Sequence, residues 1–140
     1  MSLEKVMLTE LVFVNPLDSL EHVAQLFDAR ETHHVLVMAE NRLVGIISDR
    51  DVLKAIHPNT FTDIASNTEL KVLNKTANQV MTPKPICIGK RRSIVSASEI
   101  MLERNISALP VVDEQEQVIG LVSLKGIVRY FVSRVKERVK

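Results

Sequence analysis

The chain has 140 residues, 46% of them hydrophobic and 25% charged, with a formal net charge of +1. That is the make-up of a globular protein of one compact domain or two fused half-domains, and its near-neutrality gives no general pull toward nucleic acid or an acidic membrane. A lone cysteine, Cys87, excludes an internal disulfide and a cysteine-based zinc site; with no leader pattern and no long apolar run, it points to a cytoplasmic protein without a membrane span.

In chain order, Leu11 to Val14 is a short β-prone run closed by Asn15-Pro16. Asp18-Ser19-Leu20-Glu21 reads as an N-cap with an acid three residues on. Leu20, Val23, Ala24 and Phe27 follow at helical spacing, giving a helix to about Arg30. Val35 to Met38 and Leu43 to Ile47 form a hairpin around Glu40-Asn41-Arg42, and a second helix runs from Asp49 through Ile56. The polar segment 57–79 reads as a linker with one helical turn near Glu69 to Leu73. Ile86 to Ile88 is then a strand, with Cys87 packed in it rather than placed for chemistry. Ser93 caps a helix to about Arg104; Leu109 to Val112 and Val118 to Val122 form a hairpin; a last helix from Lys125 carries Ile127, Val128, Phe131 and Val135 on one face.

The two halves are the same text. A shift of 74 positions carries Val6-Met7 onto Val80-Met81, Leu20, Val23 and Phe27 onto Ile94, Ala97 and Met101, and Val35 onto Leu109. After a one-residue length difference, Gly45-Ile46-Ile47-Ser48 meets Gly120-Leu121-Val122-Ser123. Such a period means two copies of one supersecondary unit, each too small to bury its apolar face alone. The copies span 6–56 and 80–133, with 134–140 as the end of the last helix.

The order β-α-β-β-α in duplicate, with Val80-Met81-Thr82-Pro83, Leu109-Pro110-Val111-Val112-Asp113 and Gly45-Ile46-Ile47-Ser48-Asp49-Arg50-Asp51, resembles a tandem cystathionine-β-synthase (CBS) domain pair, or Bateman module. The likeness runs from about Val6 to Phe131 and is greatest to small stand-alone bacterial modules of the acetoin-utilisation type. It implies an α+β fold of two pseudo-symmetric repeats, and a sensor rather than an enzyme. It further implies an adenosine-containing ligand (AMP, ADP, ATP, S-adenosylmethionine) in the cleft between repeats, a homodimer, and a separate effector protein.

The family's ribose motif falls on Gly45 to Asp51. A strand ending where a helix begins presents free N–H groups and a positive dipole end to a phosphate or sugar, and a carboxylate one turn in, at Asp51, can accept from both ribose hydroxyls. Ser48-x-x-Asp51 is equally a capping box, which needs no ligand. The resemblance sets the base against Thr82, Pro83, Lys84, Pro85 and Ile86, a segment that also reads as a stiff lead into a strand. It gives His33, His34 and Arg50 to the phosphate side; neighbouring histidines in an extended segment point to opposite faces, which argues against a metal. A histidine beside a phosphate would make binding depend on pH around 6 to 7. The second copy keeps Ser123 but has Gly126 in place of the acid, and Ser107 and Ala108 in place of the histidines, so one competent site per chain is expected. Lys90-Arg91-Arg92 reads as a solvated basic loop or a polyphosphate contact, and the basic last helix has no aromatic interleaving for nucleic acid. No serine has an evident base, and there is no Gly-Lys-Ser/Thr phosphate loop. A scaffold that dimerises through helix faces and binds no ligand is the other reading.

Overall fold

The structure, a computed structural model, describes residues 2–30, 32–56 and 73–139. They form two compact units, one of residues 12–85 and one of residues 1–11 with 86–140.

The first unit carries strands β1 (Phe13–Val14), β2 (His34–Ala39), β3 (Arg42–Ser48) and β4 (Thr82–Pro83) in one sheet in that order, with helices α1 (Leu20–Arg30), α2 (Asp49–Ile56) and α3 (Ala77–Val80). β1 runs parallel to β2, as the intervening helix requires, and the other pairs are antiparallel. Glu40 and Asn41 adopt positive φ (50° and 64°), the conformation a two-residue hairpin loop demands. The core gathers Val14, Leu20, Val23, Val35, Val37, Ile47, Val52 and Ala77.

The second unit repeats the plan with β5 (Ile88–Gly89), β6 (Ala108–Val112), β7 (Val118–Ser123), α4 (Ile94–Arg104) and α5 (Leu124–Val139) around Leu3, Ile88, Ile94, Met101, Leu109 and Val122. Both hairpins shift register at corresponding places, between Val37 and Met38 and between Val111 and Val112. The one-residue difference lies in the second hairpin loop, where Asp113 Oδ1 accepts from the amides of Gln115 and Gln117 (both 2.9 Å). α4 is capped by Ser93, whose hydroxyl accepts from Ser96 N–H, and ends in Asn105 at φ 53°.

The repeat begins earlier than its sequence signal. A short 3-10 turn, Leu3–Lys5, corresponds to α3; Ser2 bridges Ser93 as Thr76 bridges Ser19. Residues 2–11 thus complete the second unit, and 76–85 complete the first. Ala77 is fully buried, its N–H donating to Asp18 O (2.8 Å), so the end of the 57–79 segment is part of the first unit's core. The turn expected at 69–73 lies, apart from Leu73, outside the described residues.

Two expectations are corrected. The strand expected at Ile86 to Ile88 is confined to Ile88–Gly89, because β6 offers only Val111 and Val112 as parallel partners. Cys87 is therefore exposed rather than packed in a strand; partial desolvation of its sulfur and the Glu116 carboxylate push the thiol up. At α1, Ser19 rather than Asp18 is the cap: its hydroxyl accepts from His22 N–H (3.1 Å), while Asp18 accepts from Asn15 N–H (2.8 Å) and closes the preceding turn. The extra residue places the carboxylate outside the helix.

Candidate functional site

β3 ends in Ser48 and α2 starts at the next residue, so the first unit has a strand-to-helix corner, where the first three helix amides donate to His33 O, Asp49 Oδ1 and Ser48 Oγ. Ser48 N–H donates to Asp51 Oδ2 (2.9 Å), and Asp51 N–H donates to Ser48 Oγ (3.1 Å). This is a complete capping box. It fixes the carboxylate while leaving Asp51 Oδ1 without a hydrogen bond among the described residues, free to accept from a polar ligand.

His34 stands directly opposite Ser48 in the β2–β3 ladder. Burial lowers its pKa below the ordinary 6.5, His33 acting in the same direction and Asp49 and Asp51 against it. His33 pairs with the residue that opens α2. Its Nδ1 lies 2.8 Å from Asp49 Oδ2, and its carbonyl accepts from Asp49 N–H (3.0 Å). Burial opposes ionisation of Asp49, but the His33 and Arg50 hydrogen bonds prevail and hold its carboxyl below the usual range. Arg50 is exposed at the first turn of α2.

β4 lies antiparallel on β3, with Thr82 opposite Ile46 and Pro83 opposite Gly45, and Lys84 N–H donates to Val44 O (3.1 Å). The segment thus runs away from Ser48: Thr82 is the nearest to the corner in register, and Lys84, at φ 48°, turns off the sheet. Pro85 closes the unit and Ile86 belongs to the other one. Gly45 permits this approach, since a Cβ there would lie 2.9 Å from Met81 Cβ. The exposed β4 segment and the acid-bearing corner therefore share one folded unit. A separate cleft of about 560 Å³ lies against α1 and α2, walled by Phe27, Val52, Leu53 and Ile56 and reached by His33 and Asp49 but not by Ser48 or Asp51.

In the second unit Gly126 N–H donates to Ser123 Oγ (3.0 Å), half of the same box, and Ala108 is opposite Ser123. Leu8 exchanges both backbone hydrogen bonds with Leu121 (2.9 Å each), where β4 lies in the first unit. Of the basic loop, Lys90 and Arg91 pair with Glu114 (3.2 and 3.1 Å). Among the described residues no group of acids, histidines or cysteines is arranged to hold a metal, and no helix is long and apolar enough to cross a membrane.

Sequence reasoning passed over Asp49. It stands at a variable place in the ribose motif, and only the hairpin register shows that it meets His33.

The molecule is a duplicated α+β protein with one acid-bearing and one acid-free helix-start corner. The chain belongs to the CBS domain family, whose model matches residues 3–58 and 77–133. It is 27% identical over 123 residues to protein MJ1225 of Methanocaldococcus jannaschii, covering 87% of this chain and 44% of that protein. It is 31% identical over 124 residues to the inosine-5'-monophosphate dehydrogenase of Korarchaeum cryptofilum, covering 89% of this chain and 23% of that enzyme. It thus spans less than half the length of these relatives. Among solved structures, CBSX2 of Arabidopsis thaliana in complex with AMP superposes with a TM-score of 0.74 at 26% identity, covering 94% of this chain and 96% of that one. The CBS domain pair of protein MJ0100, in complex with 5'-methylthioadenosine and S-adenosylmethionine, superposes with a TM-score of 0.79 at 24% identity (96% and 98% covered), a likeness of fold.

Proposed function

We propose that this chain is a regulatory module that binds an adenosine-type nucleotide at the Ser48–Asp51 corner. The observation that carries the reading is the Asp51 carboxylate, fixed by one oxygen and open at the other, in the same unit as the exposed, proline-bearing β4 edge. Asp51 would accept from the ribose hydroxyls. Thr82, Pro83, Lys84 and Pro85, continued by Ile86, would flank the base. Phosphates would meet Arg50, exposed at the positive end of the α2 dipole, with His34 and the second ring nitrogen of His33. CBSX2 with AMP and MJ0100 with its two adenosine ligands support the ligand class.

The module acts without turnover. Ser48 Oγ serves as a cap, and no base is hydrogen-bonded to it among the described residues. Signal arises only if the ligand binds two states of the module unequally, and a homodimer and a separate effector protein are part of this proposal. A second reading has its own support. The capping box is complete without any ligand, and Leu53 is 55% exposed beside the α1–α2 cleft, as suits a scaffold that dimerises through helix faces.

Thermal unfolding of the wild type and of Asp51→Ala with AMP, ADP, ATP, S-adenosylmethionine and NAD separates the two. A ligand at 100 times its Kd adds about 2.7 kcal/mol. A rise in Tm with one of them, lost in Asp51→Ala, is the expected result. No rise with any of them leaves the scaffold.

A further inference from the structure

A helix start offers an anion two things, free amides and the positive end of the dipole, and α2 commits both to its own side chains. Its first three amides donate to His33 O (3.0 Å), Asp49 Oδ1 (2.9 Å) and Ser48 Oγ (3.1 Å). Its first turn carries two carboxylates, Asp49 and Asp51, where the first turn of α5 carries none. Asp49 is ionised at neutral pH, and burial keeps His34 below 6.5, so that ring adds little positive charge there. His33 spends Nδ1 on Asp49 Oδ2 (2.8 Å). Among the described residues Arg50 is the one cation in the first turn of α2, and it makes no ion pair; Lys54 stands a full turn further along.

The order of these groups decides what can follow the sugar. Successive residues of a helix are turned by about 100° about its axis, so Asp51, Arg50 and Asp49 follow one another round the first turn of α2. A 5' substituent that leaves a ribose held at Asp51 and runs toward Arg50 meets the guanidinium first and the Asp49 carboxylate next. One phosphate is matched by Arg50. A second and a third are carried toward a negative charge that the His33 ring and the Arg50 amide hold in place. Fixed like charge set against a longer ligand is a means of rejecting it, and no free amide is left at the start of α2 to offset the repulsion.

We propose that Asp49 is a specificity-determining residue, which restricts the Ser48–Asp51 corner to adenosine ligands with one phosphate or none and discriminates against the di- and triphosphates. The proposal rests on the nucleotide reading of that corner and narrows its ligand class.

The test is isothermal titration calorimetry of the full chain with AMP, S-adenosylmethionine and ATP in a magnesium-containing buffer, on the wild type, Asp49→Asn and Asp51→Ala. The expected result is that AMP or S-adenosylmethionine binds the wild type about tenfold or more tighter than ATP, a gap that added salt narrows. Asp49→Asn keeps an acceptor for the Arg50 amide and removes the charge, and should close much of the gap by tightening ATP rather than by weakening the other ligand. The Asp49 side chain is 40% exposed, and thermal unfolding without ligand checks that the variant keeps its fold. ATP binding the wild type as tightly as the other two, or a gap that Asp49→Asn leaves unchanged, overturns the proposal; loss of binding in Asp51→Ala then shows that the nucleotide reading still stands. Binding that Asp51→Ala does not weaken, or no binding of any of the three, overturns both.

Discussion

The two helix-start corners of this molecule differ in side chains and hardly at all in backbone. At β3–α2 and at β7–α5 a glycine lies under a methionine from the segment that completes its unit, Met81 over Gly45 and Met7 over Gly120. At both, a serine closes the strand and accepts an amide three residues on. At both, the residue opening the helix donates to a carbonyl at the foot of the hairpin, His33 O or Ser107 O. The acid, the two histidines and Asp49 are present at the first corner alone. Glycine and serine therefore belong to the architecture, whereas Asp51 and the His33–Asp49 pair are additions that the architecture does not require. Residues that differ between equivalent places are where a function beyond folding is to be sought.

The comparison can be broken first in the cores. Leu20 and Ile94 are equivalent, each wholly buried, and Leu20→Ala or Ile94→Ala should each cost about 2–5 kcal/mol by chemical denaturation. A markedly smaller loss at one would show that the units do not carry equal weight. The next largest effect is at the glycines. Gly45→Val and Gly120→Val should each cost about 1–3 kcal/mol by chemical denaturation. At Gly45 the new Cβ would lie 2.9 Å from Met81 Cβ, which the backbone holds in place; at Gly120 the Met7 side chain can swing aside but the Leu8 carbonyl stands 3.1 Å away.

At the corners themselves, Asp51→Ala should lower stability by about 1 kcal/mol through loss of the cap. Gly126→Asp should raise it by a similar amount, by replacing a helical glycine and completing the second box. If the proposed nucleotide reading holds, that same Gly126→Asp variant should show a second binding event by calorimetry. A gain in stability without new binding would mean that the acid acts as a cap alone.

The smallest effect is in pH. The folded-state pKa of His34 lies below 6.5, so the unfolded chain binds the proton more readily and stability rises with pH. The deficit is complete below the folded value and gone by about one unit above 6.5. His34→Gln should flatten that slope, while Ala108→His should introduce one at the other corner. Asp49 acts in a different window: its depressed value adds stability above 3.8 that is lost as pH falls below it.

Much of this was legible in the residues. Leu20, Val23 and Phe27 at helical spacing, the alternating strand runs and the matching of Gly45–Ser48 to Gly120–Ser123 are local patterns, and local patterns survive without coordinates. Residue pairs distant in sequence do not. Nothing in Leu3 or Ala77 announces a core residue, because each packs against chain more than ten residues away, and the paired faces have no period of their own. Cys87 misled for a related reason: Ile86 to Ile88 is apolar enough for a strand, but strand length is set by the partner's ladder, which meets only Ile88 and Gly89. His33 was singled out but its partner was not, since the hairpin register that brings Asp49 to it depends on a loop of two residues with positive φ.

The exchange of opening segments has a consequence for synthesis. Residues 2–11 are made before 12–85, yet the unit they complete is not available until 86–140 have been added. The contiguous stretch 12–85 can close as soon as it clears the ribosome, leaving residues 2–11 to wait for the rest of their sheet. During that interval Leu3, buried in the finished unit, has no core to enter, and Leu8 has no Leu121 to pair with. Damage to this segment should therefore fall on a unit whose remaining residues are made only later, distant in the gene from the codons that were changed.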